Sequence, residues 1–291
     1  QNEMLKIFKK HSHCLRFFIG DVRDRDRLIM ATQGVDYIIH SAALKHVPTA
    51  EYNPFECIKT NVIGAENVIY AAINSKVKKT IALSTDKAAN PVNMMGASKR
   101  IMEMFLMRRS EQIDISTARF ANVAFSDGSL LHGFNQRIEK KQPIVAPSDI
   151  KRYFVIPQES GELCLMSCIF GDNRDIFFPK LSESLHLITF AEIAEKYLAE
   201  KGYEAYLCKS EDEARELIKT LPAQGKWPCL FTTSDTTGEK DFEEFFTEKE
   251  DIDLDIFYEV GQTFPIKLEE SNWKALAGFI NSTVYIFRPV N

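Results

Sequence analysis

The chain has 291 residues, and its 36 Lys and Arg against 41 Asp and Glu give a formal net charge of −5. This balance, with a pI near 5.8, argues against a nucleic-acid partner, because non-specific nucleic-acid binding usually needs an overall positive field. No stretch approaches about 18 uninterrupted apolar residues, and no basic-then-apolar signal segment opens the sequence. We therefore expect a cytoplasmic chain of about two domains with no membrane span.

The six cysteines form no C-x-x-C pair, and a chain of this length does not need disulfides to be stable. Cys164 and Cys168 lie four residues apart in the apolar run CLMSCIF, on a predicted helix. Because no histidine or third cysteine is near them, burial is favoured over zinc binding. We predict reduced thiols and no metal site.

Short apolar segments that alternate with helical ones predict a parallel β-sheet, because parallel strands need long crossovers and such crossovers are normally helices. The predicted strands are Leu15–Gly20, Asp36–Ser41, Thr80–Ser84 and Ser116–Phe120. The predicted helices are Pro54–Asn74, Met94–Met107, Ser129–Glu139 and Glu159–Phe170. Longer loops after Phe120 indicate a boundary near residue 125.

The last third of the chain reads as a small α/β unit followed by an acidic stretch. Capping boxes predict two helix starts there, because each end satisfies a free backbone N–H of the other. The boxes are Thr189-x-x-Glu192 and Ser210-x-x-Glu213, and the predicted strands are Glu204–Cys208 and Cys229–Thr233. The acidic residues between Glu243 and Asp255 predict a solvated helix face or tail rather than a docking site.

None of the thirteen glycines fits G-x-G-x-x-G or G-x-x-G-x-x-G, the loop that binds a dinucleotide pyrophosphate after the first strand of a nucleotide-binding sheet. The chain opens with Gln1 in a predicted helix that leads directly to the strand Leu15–Gly20. We therefore expect an α/β fold with a Rossmann-like, doubly wound parallel sheet that lacks its first βαβ elements. The expected divisions are a partial dinucleotide-binding domain at 1–125, a smaller α/β substrate-binding region at 126–246 and a tail at 247–291.

The stretch STDKAANPVNMMGASKR, residues 84–100, begins where a predicted strand ends and a helix follows. Ligands of open α/β sheets bind at the carboxyl ends of strands, so its first four side chains are expected to face a crevice. These are Ser84, Thr85, Asp86 and Lys87. The alternative is a surface turn in which Asp86 and Lys87 form an exposed ion pair.

Seven segments in order along the chain resemble one known family. They are GDVRD (20–24), IIHSAALKHVP (38–48), NPFECIKTNVIGAENV (53–68), LSTDKAANPVNMMGASK (83–99), RFANVAFSDGSLL (119–131), KRYF (151–154) and DIFFPK (175–180). Together they resemble the extended short-chain dehydrogenase/reductases, and more narrowly the polysaccharide-biosynthesis branch typified by UDP-N-acetylglucosamine 4,6-dehydratases. The resemblance extends from the first residue to about residue 246.

The resemblance implies a nicotinamide cofactor, NADP or NAD. Asp21 and Val22 match the adenine contact, and Lys45 is expected close to both nicotinamide and substrate. The other implied cofactor residues are Ser41, Ala42, Ala43, Asn61, Ser84 and Lys99, of which Asn61 matches a helix asparagine that supports the active site. The side chains that separate NADP from NAD lie at the end of a second strand that the sequence is expected to lack.

In this family the cofactor takes hydride from carbon 4 of the sugar, water then leaves across carbons 5 and 6, and hydride returns to carbon 6. Such chemistry needs an acid for the departing hydroxyl and a base for carbon 5. Asp86 matches the family's acid and Lys87 its base. A lysine can act as a base only if burial or nearby positive charge lowers its pKa, and Lys45 and Lys99 are candidate neighbours.

One position departs from the superfamily's usual pattern. A tyrosine commonly stands four residues before the active-site lysine, but here Met95 precedes Lys99. A thioether has no acidic proton and cannot deprotonate the carbon 4 hydroxyl. Some members of the branch carry methionine at this point, and Thr85 is our candidate for the missing role, with Lys99 or a bound water as alternatives. The one Tyr-x-x-x-Lys in the chain, Tyr197 to Lys201, is interpreted as a coincidence.

For the substrate, the resemblance implies contacts from Lys45, from Asn122 and Val123 to a diphosphate, and from Arg152 near uridine. Thr236 stands where the family's R-P-G-E-K segment has its arginine, so one phosphate ligand is replaced.

The sequence thus predicts a dehydratase of a UDP-activated N-acetylhexosamine in bacterial glycan synthesis. The alternatives are a nucleotide-sugar epimerase or a non-catalytic homologue, and we expect these 291 residues alone to bind dinucleotide weakly. The helices at 53–74 and 94–107 predict a homo-oligomer, because this superfamily commonly pairs through them.

Overall fold

The computed structural model describes residues 2–180, 188–234, 243–248, 250 and 252, together with the backbone of 284–288. The α-helices are α1 (Asn2–Ile7), α2 (Arg25–Ala31), α3 (Val47–Tyr52), α4 (Pro54–Ile58), α5 (Gly64–Asn74), α6 (Met94–Arg109), α7 (Leu130–Glu139), α8 (Pro157–Phe170), α9 (Phe190–Glu200) and α10 (Glu211–Leu217). The strands are β1 (Leu15–Ile19), β2 (Tyr37–His40), β3 (Lys79–Thr85), β4 (Asp114–Phe120), β5 (Asn122–Val123), β6 (Ile144–Pro147), β7 (Lys151–Arg152), β8 (Phe154–Val155), β9 (Ile176–Phe177), β10 (Ile188–Thr189), β11 (Glu204–Leu207), β12 (Lys226–Thr232) and β13 (Val284–Arg288).

The chain divides into two compact units. The first comprises residues 1–119, 162–179 and 245–291, and the second comprises 120–161 and 180–244. The division after Arg119 lies a few residues before the boundary predicted near residue 125. The sequence pattern does not predict that 162–179 returns to the first unit. It returns because β9 pairs in parallel with β4, at Thr117 and Ala118.

The first unit is built on a four-stranded sheet with the order β2-β3-β4-β9. The strand β3 is buried along most of its length, as expected for a parallel strand covered on both faces. Helices α5 and α6 contribute apolar side chains to the core, among them Ala65, Ile69, Met102 and Leu106. The strand β1 lies in a separate two-stranded sheet, where it pairs in parallel with β13.

The charged end of Lys79 binds the carboxyl end of α8. Its Nζ donates to the carbonyl oxygens of Ser167 and Cys168 at 3.1 Å each, and to that of Gly171. A cation is favourable there because the last carbonyls of a helix have no partner within the helix. Burial lowers the pKa of Lys79, and the carbonyl oxygens offset part of the cost of enclosing its charge.

The second unit has a three-stranded parallel sheet with the order β11-β12-β6. Its core includes Leu131 and Phe134 of α7, Leu198 of α9 and Trp227 of β12. Two short pairs flank this sheet, β5 with β8 in parallel and β7 with β10 in the antiparallel sense.

The predicted helix starts agree with the structure. Thr189 and Glu192 form a complete capping box at the start of α9. Ser129 and Ser210 accept a backbone N–H at the starts of α7 and α10. Tyr197 packs in the core of the second unit, and its hydroxyl donates to the side chain of Asn135, in agreement with its interpretation as a structural residue.

The predicted single helix Pro54–Asn74 contains a wider turn than expected. Residues Lys59–Ile63 form a π-helical turn between α4 and α5. A regular apolar period does not reveal such a turn, and Asn61 within it binds the loop after β2. A single π turn within an α-helix is common at functional sites.

All six cysteines are free, and Cys164 and Cys168 are buried on α8 as predicted. Burial raises the pKa of the Cys164 thiol to about 12. In the part of the chain that the structure describes, no group of three or more His, Cys, Asp and Glu is placed to hold a metal. The same residues include no helix long and apolar enough to cross a membrane.

Among the described residues of the acidic stretch, Glu248 is exposed as predicted, but Glu250 is not a solvated side chain. Glu250 binds the buried guanidinium of Arg119 through two hydrogen bonds of 2.9 and 2.7 Å. The guanidinium also donates to the carbonyl of Phe245 and to both carboxylate oxygens of Glu103. The prediction failed because the partner, Arg119, is more than a hundred residues away in sequence.

We predict that Glu250→Gln lowers the free energy of unfolding relative to wild type, and that the loss is larger at neutral pH than at low pH. The Arg119 hydrogen bonds outweigh burial and lower the pKa of Glu250 to about 2 from its ordinary 4.5. The stabilisation is therefore complete above pH 4.5 and is lost as the pH falls towards 2. Urea unfolding should give the wild type an advantage of about 1–2 kcal/mol at pH 7, after allowance for solvent screening, which falls to less than half at pH 3 and almost disappears near pH 2.

The matched control is Glu248→Gln, since Glu248 is exposed and forms no ion pair with the residues described. Its free energy of unfolding should follow that of the wild type across the same pH range. A constant difference between wild type and Glu250→Gln from pH 7 to pH 3 would show that the carboxylate charge does not stabilise the segment.

Candidate active site

The predicted crevice residues gather where β3 ends. Thr85 caps a short 3-10 turn, Asp86–Ala88, and accepts the backbone N–H of Lys87 at 3.4 Å. Its hydroxyl donates to Asp86 Oδ1 at 2.6 Å. Lys87 Nζ donates to the two oxygens of the same carboxylate at 3.1 and 3.2 Å. Thr85, Asp86 and Lys87 thus form one connected hydrogen-bonded group.

This ion pair differs from the surface pair considered as the alternative. The Asp86 side chain is 5% exposed and that of Lys87 is 27% exposed. A carboxyl group and an amine that meet in one place are side-chain types that general acid and base catalysis uses.

The amino end of α6 packs directly on this turn. Asn93 caps the helix by accepting the backbone N–H of Gly96 at 2.9 Å, and Glu51 accepts that of Met94 at 2.6 Å. A Cβ on Gly96 would lie 2.5 Å from the backbone oxygen of Lys87. The helix approaches the turn this closely only because residue 96 has no side chain.

Met95, at the position where the superfamily usually has tyrosine, is a core residue. It is 4% exposed and packs in a cluster with Ala50 and Cys57, against Leu44 and Val47. This environment is apolar, which suits a thioether.

Lys99 lies on the buried side of α6. Its Nζ donates to the carbonyl oxygen of Leu83 on β3 at 2.7 Å. Burial lowers the pKa of Lys99 to about 8, against smaller raising effects from Glu103 and Cys57. A lysine with such a pKa is partly deprotonated near neutral pH, so it can exchange a proton as well as carry a charge.

Two buried polar atoms at the carboxyl ends of adjacent strands have no hydrogen-bond partner among the described residues. They are Nε2 of His40, at the end of β2, and Oγ of Ser84, near the end of β3. Burial lowers the pKa of His40 to about 3, with a further lowering by the Lys99 charge, so the imidazole is neutral. Buried polar atoms without partners are uncommon and mark a place where a ligand can supply them.

Sequence reasoning missed His40. The available signal was its place in IIHS, one residue before the loop that the resemblance assigned to the cofactor. A lone histidine at a strand end is most often structural, and burial of the imidazole beside Lys99 becomes visible only in three dimensions.

Asn61 holds the loop after β2 in place. Its side chain accepts the backbone N–H of Leu44 at 2.7 Å and donates to the carbonyl of the same residue at 2.8 Å. It also donates to Ser98 Oγ at 2.9 Å, beside Lys99 on α6. The fully buried amide therefore joins three elements, namely the loop, the π-helical turn and α6.

The loop itself carries four of the predicted cofactor residues. Ser41 and Lys45 are exposed, and Ala42 and Ala43 are half-buried. Two alanines and a serine leave the backbone accessible, so a flat group can lie along it.

The first predicted cofactor residues lie in the turn after β1. The Asp21 carboxylate binds Arg23 through two side-chain hydrogen bonds of 3.0 and 2.7 Å, and this pairing lowers the pKa of Asp21. Val22 is buried, and a Cβ at Gly64 of α5 would lie 2.7 Å from its side chain. The turn is thus anchored against α5 through the small residue at position 64.

The predicted substrate residues of the second unit meet at one carboxylate. Asn122 Nδ2 donates to Glu243 Oε1 at 2.7 Å, and the backbone N–H of Tyr153 reaches the same oxygen at 3.3 Å. Arg152 Nε lies 3.8 Å from it. Val123 follows Asn122 in β5, half-buried. Glu243 therefore belongs to this site and not to a solvated tail, which corrects the prediction for the acidic stretch. Thr236 lies outside the described residues.

A family model described as "polysaccharide biosynthesis protein" matches residues 1–259. An uncharacterized membrane protein of Methanocaldococcus jannaschii is 38% identical over 265 residues, which cover 88% of this chain and 72% of the relative. An inverting UDP-N-acetylglucosamine 4,6-dehydratase of Campylobacter jejuni is 43% identical over 188 residues, 62% of this chain and 56% of the enzyme. A UDP-glucose 4-epimerase of Rickettsia typhi is 39% identical over 233 residues, 74% of this chain and 68% of the enzyme. The chain thus spans just over half the length of the dehydratase that it matches.

Solved structures give the same fold. The X-ray structure of Pen from Bacillus thuringiensis aligns with a TM-score of 0.70 at 28% identity, covering 85% of this chain and 71% of the other. The dTDP-glucose 4,6-dehydratase DesIV from Streptomyces venezuelae aligns with a TM-score of 0.61 at 17% identity, covering 78% and 69%. The predicted Rossmann-like α/β fold is confirmed.

We predict that Gly96→Ala displaces the Asp86–Ala88 turn and destabilises the protein. The added Cβ meets a backbone oxygen that cannot rotate away, and overpacking of this kind costs about 1–3 kcal/mol. Urea unfolding measures the loss, and a crystal structure of the variant measures the displacement of the Lys87 backbone.

The matched control is Gly133→Ala in α7, where an added Cβ has no atom within 4 Å. That change should stabilise the protein by roughly 0.5–1 kcal/mol, since alanine is the better helix former. Equal effects of the two substitutions would contradict a close approach of α6 to the turn.

Proposed function

The chain belongs to the polysaccharide-biosynthesis family of extended short-chain dehydrogenase/reductases, and from this premise we propose that it is a nucleotide-sugar 4,6-dehydratase. The proposed substrate is a UDP-activated N-acetylhexosamine, with UDP-N-acetylglucosamine the first candidate. The observation that carries the proposal is the hydrogen-bonded group of Thr85, Asp86 and Lys87 at the carboxyl end of β3.

The residues present fit part of a nicotinamide dinucleotide, although they include no glycine-rich loop for its pyrophosphate. Ser84 offers a buried hydroxyl that lacks a hydrogen-bond partner among the described residues. Lys99 offers a donor next to it, because its Nζ binds the carbonyl oxygen of Leu83, the preceding residue of β3. Asp21, Val22 and the loop Ser41 to Ala43 would hold the rest of the cofactor. When bound, the nicotinamide supplies hydride transfer from and back to the sugar. NADP is the proposed form by family habit, with NAD as the alternative.

Asp86 and Lys87 divide the acid and base work of dehydration. Lys87 Nζ and Asp86 Oδ1 lie 3.1 Å apart, so an amine and a carboxyl group meet at one point of the site. Lys87, as the neutral amine, takes the hydrogen on carbon 5 of a 4-keto sugar as a proton, and Asp86, once it has received a proton, gives it to the departing oxygen on carbon 6.

Thr85 is the proposed replacement for the missing tyrosine. Its hydroxyl already donates to Asp86 at 2.6 Å, so a proton taken from a sugar hydroxyl by Thr85 can pass on to the carboxylate. Met95 is enclosed in an apolar cluster and supplies no such path. Lys99 assists by holding a positive charge, or releasing it, at a pKa of about 8.

In the second unit, Asn122, Val123 and Arg152 are the proposed contacts for the nucleotide, and Lys45 of the first unit is a further proposed substrate contact. Arginine suits phosphate, since its planar guanidinium donates two parallel hydrogen bonds. The Glu243 carboxylate, bound by Asn122, keeps that side chain oriented.

A nucleotide-sugar epimerase is the second candidate, and the 39% identity to a UDP-glucose 4-epimerase favours it. Epimerisation at carbon 4 needs a base for one hydroxyl and no acid for a leaving group. The adjacent carboxylate and amine of Asp86 and Lys87 exceed that requirement, so dehydration is preferred.

We predict that Asp86→Asn and Lys87→Met each lower the rate of 4-keto-6-deoxy sugar formation by about 10²–10⁴-fold, the usual value of a general acid or base. The matched controls are Asp36→Asn and Lys78→Met. These residues form a second Asp–Lys pair, 3.0 Å apart, at the amino ends of the strands and exposed to solvent. Product is measured by NMR of the reaction with UDP-N-acetylglucosamine.

The controls should retain the wild-type rate within a few-fold. An Asp86→Asn protein that forms the product at the rate of the controls would exclude the proposed acid. Formation of the carbon 4 epimer alone, by wild type, would replace dehydratase with epimerase.

The protein is also proposed to form a homo-oligomer through its first unit. Large apolar side chains are exposed on the helices that the sequence pointed to: Phe55, Ile63, Ile101 and Met104. Single exposed apolar residues are ordinary, but several on neighbouring helices are typical of an interface.

We predict that Met104→Glu shifts the protein towards monomer, because a charge in an apolar interface loses its hydration without gaining a partner. Light scattering after size-exclusion chromatography measures the mass. Met30→Glu on α2 is the control, since Met30 is 63% exposed and Met104 is 61% exposed. A mass that is the same for both variants and the wild type would place any interface elsewhere.

A further inference from the structure

Four charged side chains form a neutral quartet beside Lys99 in the first unit. They are Arg100, Glu103, Arg119 and Glu250. The central pair is almost fully enclosed, with side-chain exposures of 1% for Arg119 and 2% for Glu103. Two guanidinium groups and two carboxylates sum to zero charge.

Arg119 uses all its hydrogen-bonding capacity in this quartet. Nε and Nη2 donate to the two oxygens of Glu103 at 2.9 and 2.7 Å. Nη1 donates to the Phe245 carbonyl at 2.7 Å, and Nη1 and Nη2 donate to Glu250 at 2.9 and 2.7 Å. These are the five N–H donors that a guanidinium has, so its position is fully determined.

Glu103 lies four residues after Lys99 on α6, which puts both side chains on one face of the helix. Without a compensating positive charge, a buried carboxylate one helical turn away would raise the pKa of Lys99. Arg119 binds both oxygens of this carboxylate. The guanidinium therefore opposes the effect of Glu103, which raises the pKa of Lys99 by less than burial lowers it.

The other groups that face Lys99 carry little charge. His40 of β2 is buried and neutral, and Cys57 of α4 is a free thiol within hydrogen-bond distance of Ser98. The Leu83 carbonyl of β3 accepts from the lysine directly. Among the described residues, the quartet thus supplies charged groups near Lys99 that can be substituted while Lys99 itself is kept.

We propose that Arg119, acting through Glu103, is a positioning residue that sets the charge state of Lys99. The proposal rests on the proposed function for the use of Lys99 in catalysis, but the charge of Lys99 is measurable without any reaction. Loss of a positive member of the quartet leaves net negative charge and strengthens proton binding by Lys99. Loss of a negative member has the opposite effect.

The test is an NMR titration of the protein labelled at the lysine side chains, with the Lys99 signal assigned by its loss in Lys99→Arg. Arg119→Met should raise the midpoint of Lys99 by about 1 pH unit, and Glu103→Gln should lower it by a similar amount. The double variant Arg119→Met/Glu103→Leu, which replaces the buried pair by apolar side chains, should return close to wild type.

Because the buried variants can fail to fold, the partly exposed members give a second measurement. Glu250→Gln should lower the Lys99 midpoint and Arg100→Gln should raise it, each by less than the central pair, while Glu248→Gln should leave it unchanged. Shifts of one sign from both Glu250→Gln and Arg100→Gln, or midpoints equal to wild type, would overturn the proposal.

The same variants separate this proposal from the proposed function. Opposite shifts of Lys99 in a protein that makes no 4-keto-6-deoxy sugar would sustain the quartet and reject the dehydratase. If product forms but the midpoints do not move, the dehydratase stands and the quartet is only structural. In an active protein, the pH profile of kcat/KM should move in the same direction as the Lys99 midpoint.

Discussion

The ion pair of Asp86 and Lys87 is the interaction on which the site depends. It lies at the carboxyl end of a buried parallel strand, the edge of an open α/β sheet at which ligands bind. The Asp86 side chain is largely withdrawn from solvent, whereas that of Lys87 stays partly exposed, so the pair is sheltered and can still be reached. Thr85 is attached to this pair by a short hydrogen bond, which extends the proton path by one residue.

Helix α6 organises most of what surrounds the pair. Gly96 permits its close approach to the Lys87 carbonyl. Met95, Lys99 and Glu103 follow at intervals of four residues and are all buried, so they form one stripe along the helix. The stripe runs from an apolar contact, through a lysine of lowered pKa, to the ionic quartet. Helix α6 thereby holds the Asp86–Ala88 turn in position and also carries the buried charged residues Lys99 and Glu103.

Local patterns were sufficient to predict the strands β1 to β4, β11 and β12, most helices and the residues at the end of β3, but not β6 or the short strands. The apolar period located α5 and α6, and the capping boxes located the starts of α9 and α10. The resemblance supplied roles that spacing alone does not reveal, such as that of Asn61. The quartet, the carboxylate of Glu243 on Asn122 and the neutral His40 could not be predicted. Each joins residues far apart in sequence, and burial of a charge depends on a partner that no local window contains.

The most direct test of the account is the position of solvent deuterium in the product when the protein acts on UDP-N-acetylglucosamine in deuterated water. Removal and return of a proton at carbon 5 by the Asp86–Lys87 pair predicts one deuterium at carbon 5 of a 6-deoxy-4-keto sugar, with carbon 6 carrying the hydride from carbon 4. A product without deuterium at carbon 5, or one that retains its carbon 6 hydroxyl, would contradict the role assigned to the pair.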